Sequence, residues 1–271
     1  MVTMILPRIA AGAERRLQRA TAVTNRNVVA SRHASYWWLI ISGFFEPLLY
    51  LLSIGIGVGA LVGDLTLPGG RVVSYPVFVA PAMLAASAMT GAMAETTFNF
   101  FAKMKYTRLY DAVLATPVAP FEIAFGELLW ALVRGSIYSA AFLVVMVSMG
   151  LTSVAGALAA FPATVLTGLA FGGVGMMLAT FVRSWQDFDY VIVVQFAMFL
   201  FSGTFASAQD YHIVLRVLVE ITPLYHAVEL VRAFTIGAYG WSIAWHVAYL
   251  ATLATVGLTV AGRRMAGLLC K

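Results

Sequence analysis

Charge and cysteine are what this sequence has least of. Charged residues make up 11% of its 271 residues against 61% hydrophobic ones, and mean hydropathy is +0.88. A water-soluble domain of this length must cover itself with polar surface, and this composition supplies too little. Lipid is therefore the solvent over most of the chain. The single cysteine, Cys270, leaves no internal disulfide. Motifs of chemistry are missing too: there is no H-E-x-x-H, no serine nucleophile elbow and no G-x-x-x-x-G-K-[ST] loop for a nucleotide. The short apolar core of a cleavable signal is also missing from the first 33 residues, which carry Arg8, Arg15, Arg16, Arg19, Arg26 and Arg32 instead. The formal charge of +5 bears on topology rather than on nucleic acid, because in a membrane protein the position of the cations matters most.

What is present is a series of long apolar runs. Six of them approach the roughly 20 residues that a bilayer core requires: Tyr36–Val62, Pro76–Phe101, Glu122–Gly150, Val154–Val182, Tyr190–Ala208 and Trp241–Gly262. An all-α polytopic membrane protein is the fold class this predicts. Lys and Arg concentrate before span one, after span two (Lys103, Lys105, Arg108), after span four (Arg183) and in the tail (Arg263, Arg264, Lys271). The connection between spans one and two has only Arg71, and that between spans three and four has none. By the positive-inside rule both termini of this multi-pass chain are cytoplasmic, and the expected location is the bacterial plasma (inner) membrane.

Residues 1–35 form a unit of their own, and residues 36–271 hold the spans. At 100° per residue, Arg8, Arg15, Arg19 and Arg26 fall in one narrow sector, with Leu6, Ala10, Ala13, Leu17 and Val28 opposite. The pattern predicts an amphipathic helix in the cytoplasmic interface, its arginines toward phosphates or a protein partner. Gly55, Gly59 and Gly63, and again Gly168, Gly172 and Gly175, repeat at a spacing that lets helices pack closely. Between about 210 and 236 lies an apolar piece too short to span, Ile213–Val219, then Pro223 and an amphipathic piece, Leu224–Ile236. This predicts short re-entrant or interfacial helices on the outer side, before span six.

Ionisable residues inside spans point to function or to specific pairing. Glu46 lies in span one, followed by Pro47; Glu95 is in span two; Glu127 and Arg134 are in span three, seven residues apart. Glu46 and Arg134 reach a similar depth at about 1.5 Å per residue, which suggests a pair. Two readings stand side by side: these groups pair structurally, or they line a polar path for a cargo headgroup. His226 and Glu229, three apart on a helix, have the spacing of two metal ligands but lack a third, so capping and hydrogen bonding suit them better. The stretch Phe101–Pro117 is basic, aromatic and helix-compatible until Thr116-Pro117, and a short cytoplasmic helix there suits docking to a soluble partner.

Several stretches in order resemble the ABC-2 type exporter permeases, in the branch of the nodulation lipo-oligosaccharide and daunorubicin-type drug exporters. They are Phe45-Glu46-Pro47-Leu48-Leu49-Tyr50-Leu51-Leu52, Met104-Lys105, Tyr110-Asp111-Ala112-Val113-Leu114-Ala115-Thr116-Pro117, Gly126-Glu127-Leu128-Leu129-Trp130, Phe199-Leu200-Phe201-Ser202-Gly203-Thr204-Phe205 and Pro223-Leu224-Tyr225-His226-Ala227-Val228-Glu229-Leu230-Val231-Arg232. The resemblance implies a six-helix permease that pairs with a second permease chain, identical or not, and docks two copies of a separate ATP-binding subunit. ATP and Mg would then be held by that subunit, with no cofactor on this chain and no enzyme activity of its own. It implies a coupling helix at about Lys103–Ala115, with Lys103, Lys105, Tyr106, Arg108, Tyr110 and Asp111 facing the ATPase. It also implies that the N-terminal segment is the family's interface helix, and that Pro223, His226, Glu229 and Arg232 belong to an outer gate. An amphipathic cargo (a lipid-linked saccharide, a lipid or a drug) follows from the same resemblance. The alternative is an ion-coupled secondary transporter of hydrophobic compounds, for which Glu46, Glu95 and Glu127 would be the coupling groups, although no internal repeat is evident.

Overall fold

A computed structural model describes residues 2–32, 45, 48–49, 51–66 and 70–269. The chain opens with α1 (Val2–Arg32). Most of the first expected span, including Glu46 and Pro47, lies outside the described residues; its end is a π-helical stretch, Leu51–Val58, running into α2 (Gly59–Val62). Two short antiparallel strands follow, β1 (Asp64–Thr66) and β2 (Val72–Ser74), with Leu65 opposite Val73. This hairpin departs from the all-α expectation; β-branched Thr66 and Val72 pair across it, as such residues do on a pleated surface.

α3 (Tyr75–Ala94) starts with Pro76 in its first turn and continues through wide π-helical turns at Glu95–Asn99 and Ala102–Tyr106. The chain then reverses at Arg108, whose φ of +46° is left-handed, into α4 (Leu109–Leu114). The expected continuous helix over 103–115 is thus two pieces meeting at a corner. A non-glycine residue in that region carries roughly 1 kcal/mol of strain. α5 (Pro120–Ser148) is fixed at its start by Pro120 and by the Glu122 carboxylate, which accepts from Ala119 N at 2.9 Å. α6 (Val154–Phe181) is capped by Ser153 Oγ, which accepts from Gly156 N at 3.0 Å.

α7 (Asp187–Leu200) has 14 residues, or about 21 Å of helix, short of the ~30 Å hydrocarbon core. The expected fifth span Tyr190–Ala208 is therefore helical only in its first part. From Phe201 the backbone is irregular, with Gly203 at φ +71°. α8 (Ile213–Ile221) and α9 (Pro223–Ile236) form the expected pair of short helices, divided by Thr222, whose Oγ1 accepts from Tyr225 N. α10 (Ser242–Leu269) ends the described chain.

Among the described residues, four helices are long and apolar enough to cross a membrane: Tyr75–Tyr106, Pro120–Ser148, Val154–Phe181 and Ser242–Leu268. α6 is the hub, with α10, α5, α3 and α9 packed around it. Its expected glycine face packs as the spacing suggests: a Cβ on Gly172 would sit 2.5 Å from Leu128 Cδ1 of α5. A backbone-to-backbone approach lies on another side of the helix, where a Cβ on Gly257 of α10 would meet the carbonyl carbon of Gly173 at 2.5 Å. Two backbones touch there with nothing between them, which small residues permit and lipid surroundings favour.

Candidate functional site

Among the described residues, three polar constellations interrupt the apolar interior, one in the middle and one toward each end of the long helices. The middle one lies in a cavity of about 410 Å³ between α3, α5 and α7. Its walls are largely apolar, with Met83, Met89, Ile192, Phe196 and Phe199, while Ser87, Thr90, Glu95, Arg134, Tyr138 and Gln195 bring polar atoms. Glu95 accepts an ion pair from Arg134 Nη1, and Arg134 Nε donates to Tyr138 Oη at 2.8 Å. Arg134 and Tyr138 stand four apart on α5, so they share one helix face. The pairing of Arg134 with Glu46 anticipated from depth gives way to Glu95; Glu46 lies outside the described residues. The volume falls in the range of small-molecule sites, and apolar walls with a few convergent polar groups are their usual chemistry.

One turn beyond the cavity, toward α4, aromatic rings meet between the continuation of α3 and the start of α7. Phe98 and Phe188 have centroids 4.5 Å apart, Phe101 packs on Phe188 at 5.1 Å, and Tyr106 stacks on Trp185 at 5.5 Å. Sequence reading passed over Phe98, Trp185 and Phe188, because aromatics at the end of an apolar run are ordinary interface anchors.

The second constellation joins α1, the end of α3 and α5 on one carboxylate. Glu127 Oε2 accepts from Lys103 Nζ at 2.6 Å and from Asn27 Nδ2 at 3.0 Å, and Oε1 accepts from Arg26 Nη2 at 3.2 Å. Glu127 and Asn27 are buried. Tyr110 of α4 is fully buried beside them, and burial together with the Glu127 charge holds its pKa well above the usual phenol value. α1 can lie this close because Gly126 has no side chain: a Cβ there would be 2.5 Å from Ala20 O. Thr24 Oγ1 adds a bond to Gly126 O at 2.9 Å, and Arg19 pairs with Glu122 at 3.7 Å.

These contacts re-sort the residues singled out by sequence. Arg19 and Arg26 of α1 turn onto α5, where the helical projection had sent the arginine sector toward phosphates or a partner. The side chains of Arg8 and Arg15 lie outside what is described. Of the proposed docking residues, Lys105, Tyr106, Arg108 and Asp111 are exposed, whereas Lys103 and Tyr110 point inward to Glu127. Asn27 was missed, and a lone amide beside an arginine gives no signal in sequence.

The third constellation surrounds α9. Arg232 is buried; it pairs with Glu229, donates to Gly203 O at 2.9 Å and lies over the Phe78 ring at 3.9 Å. It thereby supplies a partner to the irregular backbone after α7, as nonhelical chain in an apolar setting requires. Pro223 opens α9 in its first turn. His226 faces His246 of α10, Nδ1 to Nδ1 at 2.7 Å, and stacks on Tyr249 with centroids 3.9 Å apart. In such a pair one ring donates and the other accepts, so the two tautomers are complementary. His246 was also missed, though an imidazole inside an apolar run is a signal that could have found it. Among the described residues no group of three or more His, Cys, Asp or Glu is placed to hold a metal ion.

Known proteins carry the same sequence pattern. Nodulation protein J of Rhizobium leguminosarum bv. trifolii is 34% identical over 231 residues, covering 84% of this chain and 86% of that protein. Nodulation protein J of Rhizobium meliloti strain 1021 is 32% identical over 238 residues, covering 87% and 88%. A probable multidrug ABC transporter permease, YbhR of Escherichia coli K12, is 24% identical over 174 residues, covering 64% of this chain and 47% of that protein. The ABC-2 type transporter profile matches residues 20–236, from within α1 to the end of α9. This multi-pass, mostly helical membrane protein belongs to the ABC-2 type transporter family.

Proposed function

We propose that this chain is the membrane half of an exporter whose energy comes from ATP hydrolysed on a separate subunit. The observation that carries the reading is the cavity between α3, α5 and α7, apolar in its walls and polar at Glu95, Arg134 and Tyr138. An amphipathic molecule matches that division, with its tail against Met and Phe side chains and its headgroup at the charged pair. A lipid-linked saccharide, a lipid or a drug fits the same description, and one relative's name, a probable multidrug permease, agrees with the last of these.

In this reading six spans cross the bacterial plasma membrane, with α1 and α4 on the cytoplasmic side and α8 and α9 on the outer side. Two permease chains and two ATP-binding subunits assemble. The exposed Lys105, Tyr106, Arg108 and Asp111 meet the ATPase, and its closure pushes on α4 and on the end of α3. α1 follows because both hold Glu127. The Arg232 anchor of the chain after α7 belongs to the exit.

An ion-coupled transporter would need a buried acid able to exchange its cation. Among the described residues, Glu95, Glu122 and Glu127 each face an arginine or lysine of the chain itself. That favours the ATP-driven reading. The test is co-expression with a candidate ATP-binding subunit, followed by reconstitution in vesicles. Co-purification and amphiphile movement that stops when ATP hydrolysis is blocked are expected; movement driven by a proton or sodium gradient without ATP would overturn the proposal.

A further inference from the structure

Among the described residues, the cavity holds two full charges of opposite sign and no surplus. Glu95 and Arg134 neutralise each other, and Ser87, Thr90, Tyr138 and Gln195 contribute uncharged polar atoms. The side chain of Glu95 is 10% exposed and that of Arg134 22%, so water screens the pair weakly. We propose that the Glu95–Arg134 pair sets the charge selectivity of this site, admitting amphipathic cargo with a polar, uncharged, hydroxyl-bearing headgroup and rejecting cargo with a net charge there. The inference deepens the export reading and rests on it.

The physical argument concerns what a third charge would meet. An anionic headgroup reaching Arg134 must displace Glu95, leaving a carboxylate in apolar surroundings without its cation; a cationic headgroup does the same to Arg134. Either exchange leaves an unpaired charge, which is expensive away from water. A hydroxyl group disturbs nothing of this kind. The pair presents N–H donors on one side and carboxylate acceptors on the other, and a hydroxyl both donates and accepts. Adjacent hydroxyls, as on a sugar ring, can bridge the two while the ion pair stays closed. A pair that served only to hold α3 to α5 would stabilise the fold without ranking ligands by charge.

The experiment is a protection assay on the full chain in lipid nanodiscs, without the ATP-binding subunit. Cys270→Ser removes the native thiol, and Thr90→Cys places one in the cavity wall. The rate of thiol labelling is then measured with octyl glucoside, octyl sulfate or octyltrimethylammonium at equal concentration. Octyl glucoside is expected to slow labelling at least about tenfold more than either charged probe, the ratio equivalent to about 1.4 kcal/mol. Glu95→Gln should transfer protection to octyl sulfate, and Arg134→Gln to octyltrimethylammonium. The exchanged pair, Glu95→Arg with Arg134→Glu, keeps neutrality and should keep the glucoside preference; it also serves if a single variant fails to fold. Equal protection by all three probes in the parent, an unchanged ranking in the single variants, or a changed one in the exchanged pair would overturn the inference. Absence of protection by any probe would reject the cavity as a cargo site altogether. Charge-ranked protection without ATP-driven movement in the reconstituted assembly would reject the exporter reading alone.

Discussion

Lys103 Nζ and Glu127 Oε2 lie 2.6 Å apart, closing the end of α3 onto α5 where Arg26 of α1 reaches the same carboxylate. Three segments distant in sequence therefore share one anion. Glu127→Ala should lower the stability of this end by about 3 kcal/mol, since two cations lose their common partner in a buried setting. The expected readout is a lower unfolding temperature in detergent with faster hydrogen exchange over α1 and α4. Exchange in the middle of α6 should stay as it was. Unchanged exchange in α1 would show that Glu127 does not hold that helix.

Arg108 and Asp111 sit on the exposed surface of the α4 corner, away from the Glu127 carboxylate. Replacing both by Ala should leave expression and thermal unfolding near the parent's, because surface changes away from packed features usually stay within about 0.5 kcal/mol. Cargo-stimulated ATP hydrolysis by the assembled transporter should fall sharply. Full stimulation in the double variant would remove these two residues from the docking surface.

Gly257 offers a direct test of close packing. Gly257→Val would drive a branched side chain into the Gly173 backbone and should destabilise by roughly 2–3 kcal/mol. Gly267→Val on the same helix meets open space and should be tolerated far better. Thermal unfolding of both variants provides the comparison, and equal losses would mean that the two backbones are not in contact at this crossing.

Arg232 is expected to resist conservative exchange. Arg232→Lys keeps the charge but not the planar fork that spans Glu229 and Gly203 O. Faster hydrogen exchange over 201–207, at unchanged rates in α6, is the expected result. If exchange there stays at the parent's rate, the guanidinium is not what secures that backbone.

Much of this architecture is legible in the sequence. Periodicity and length locate the long helices, because an apolar run near 20 residues has few other solutions. Thr222-Pro223 marks the start of α9, and the spacing of Gly168 and Gly172 marks a packed face, because capping and close approach each demand particular residues locally. Partner choice is another matter. Depth along separate helices suggested Glu46 for Arg134, but the choice of Glu95 depends on which helices are neighbours and how each is rotated. The turn at Arg108 is equally silent in sequence, since a left-handed φ is uncommon for a residue other than glycine. The same holds for Arg19 and Arg26: their sector on α1 is readable, whereas the surface it meets depends on Gly126, a hundred residues away. The early end of α7 is hidden too, because Phe201 and Phe205 keep the hydropathy high across a stretch that is no longer helical.

The contact of Gly173 with Gly257 limits how the molecule can move. Helices that meet through interlocked side chains can shift by a notch, one set of knobs leaving its holes for the next. Where bare backbones touch, there are no notches, and α6 and α10 can pivot about the contact or stay still. A stroke that travels through the bundle must therefore be absorbed at joints furnished with large, deformable side chains, such as the Phe98–Phe188 seam between α3 and α7. In the proposed export cycle the glycine contact would serve as the bearing, and the aromatic seam would give way.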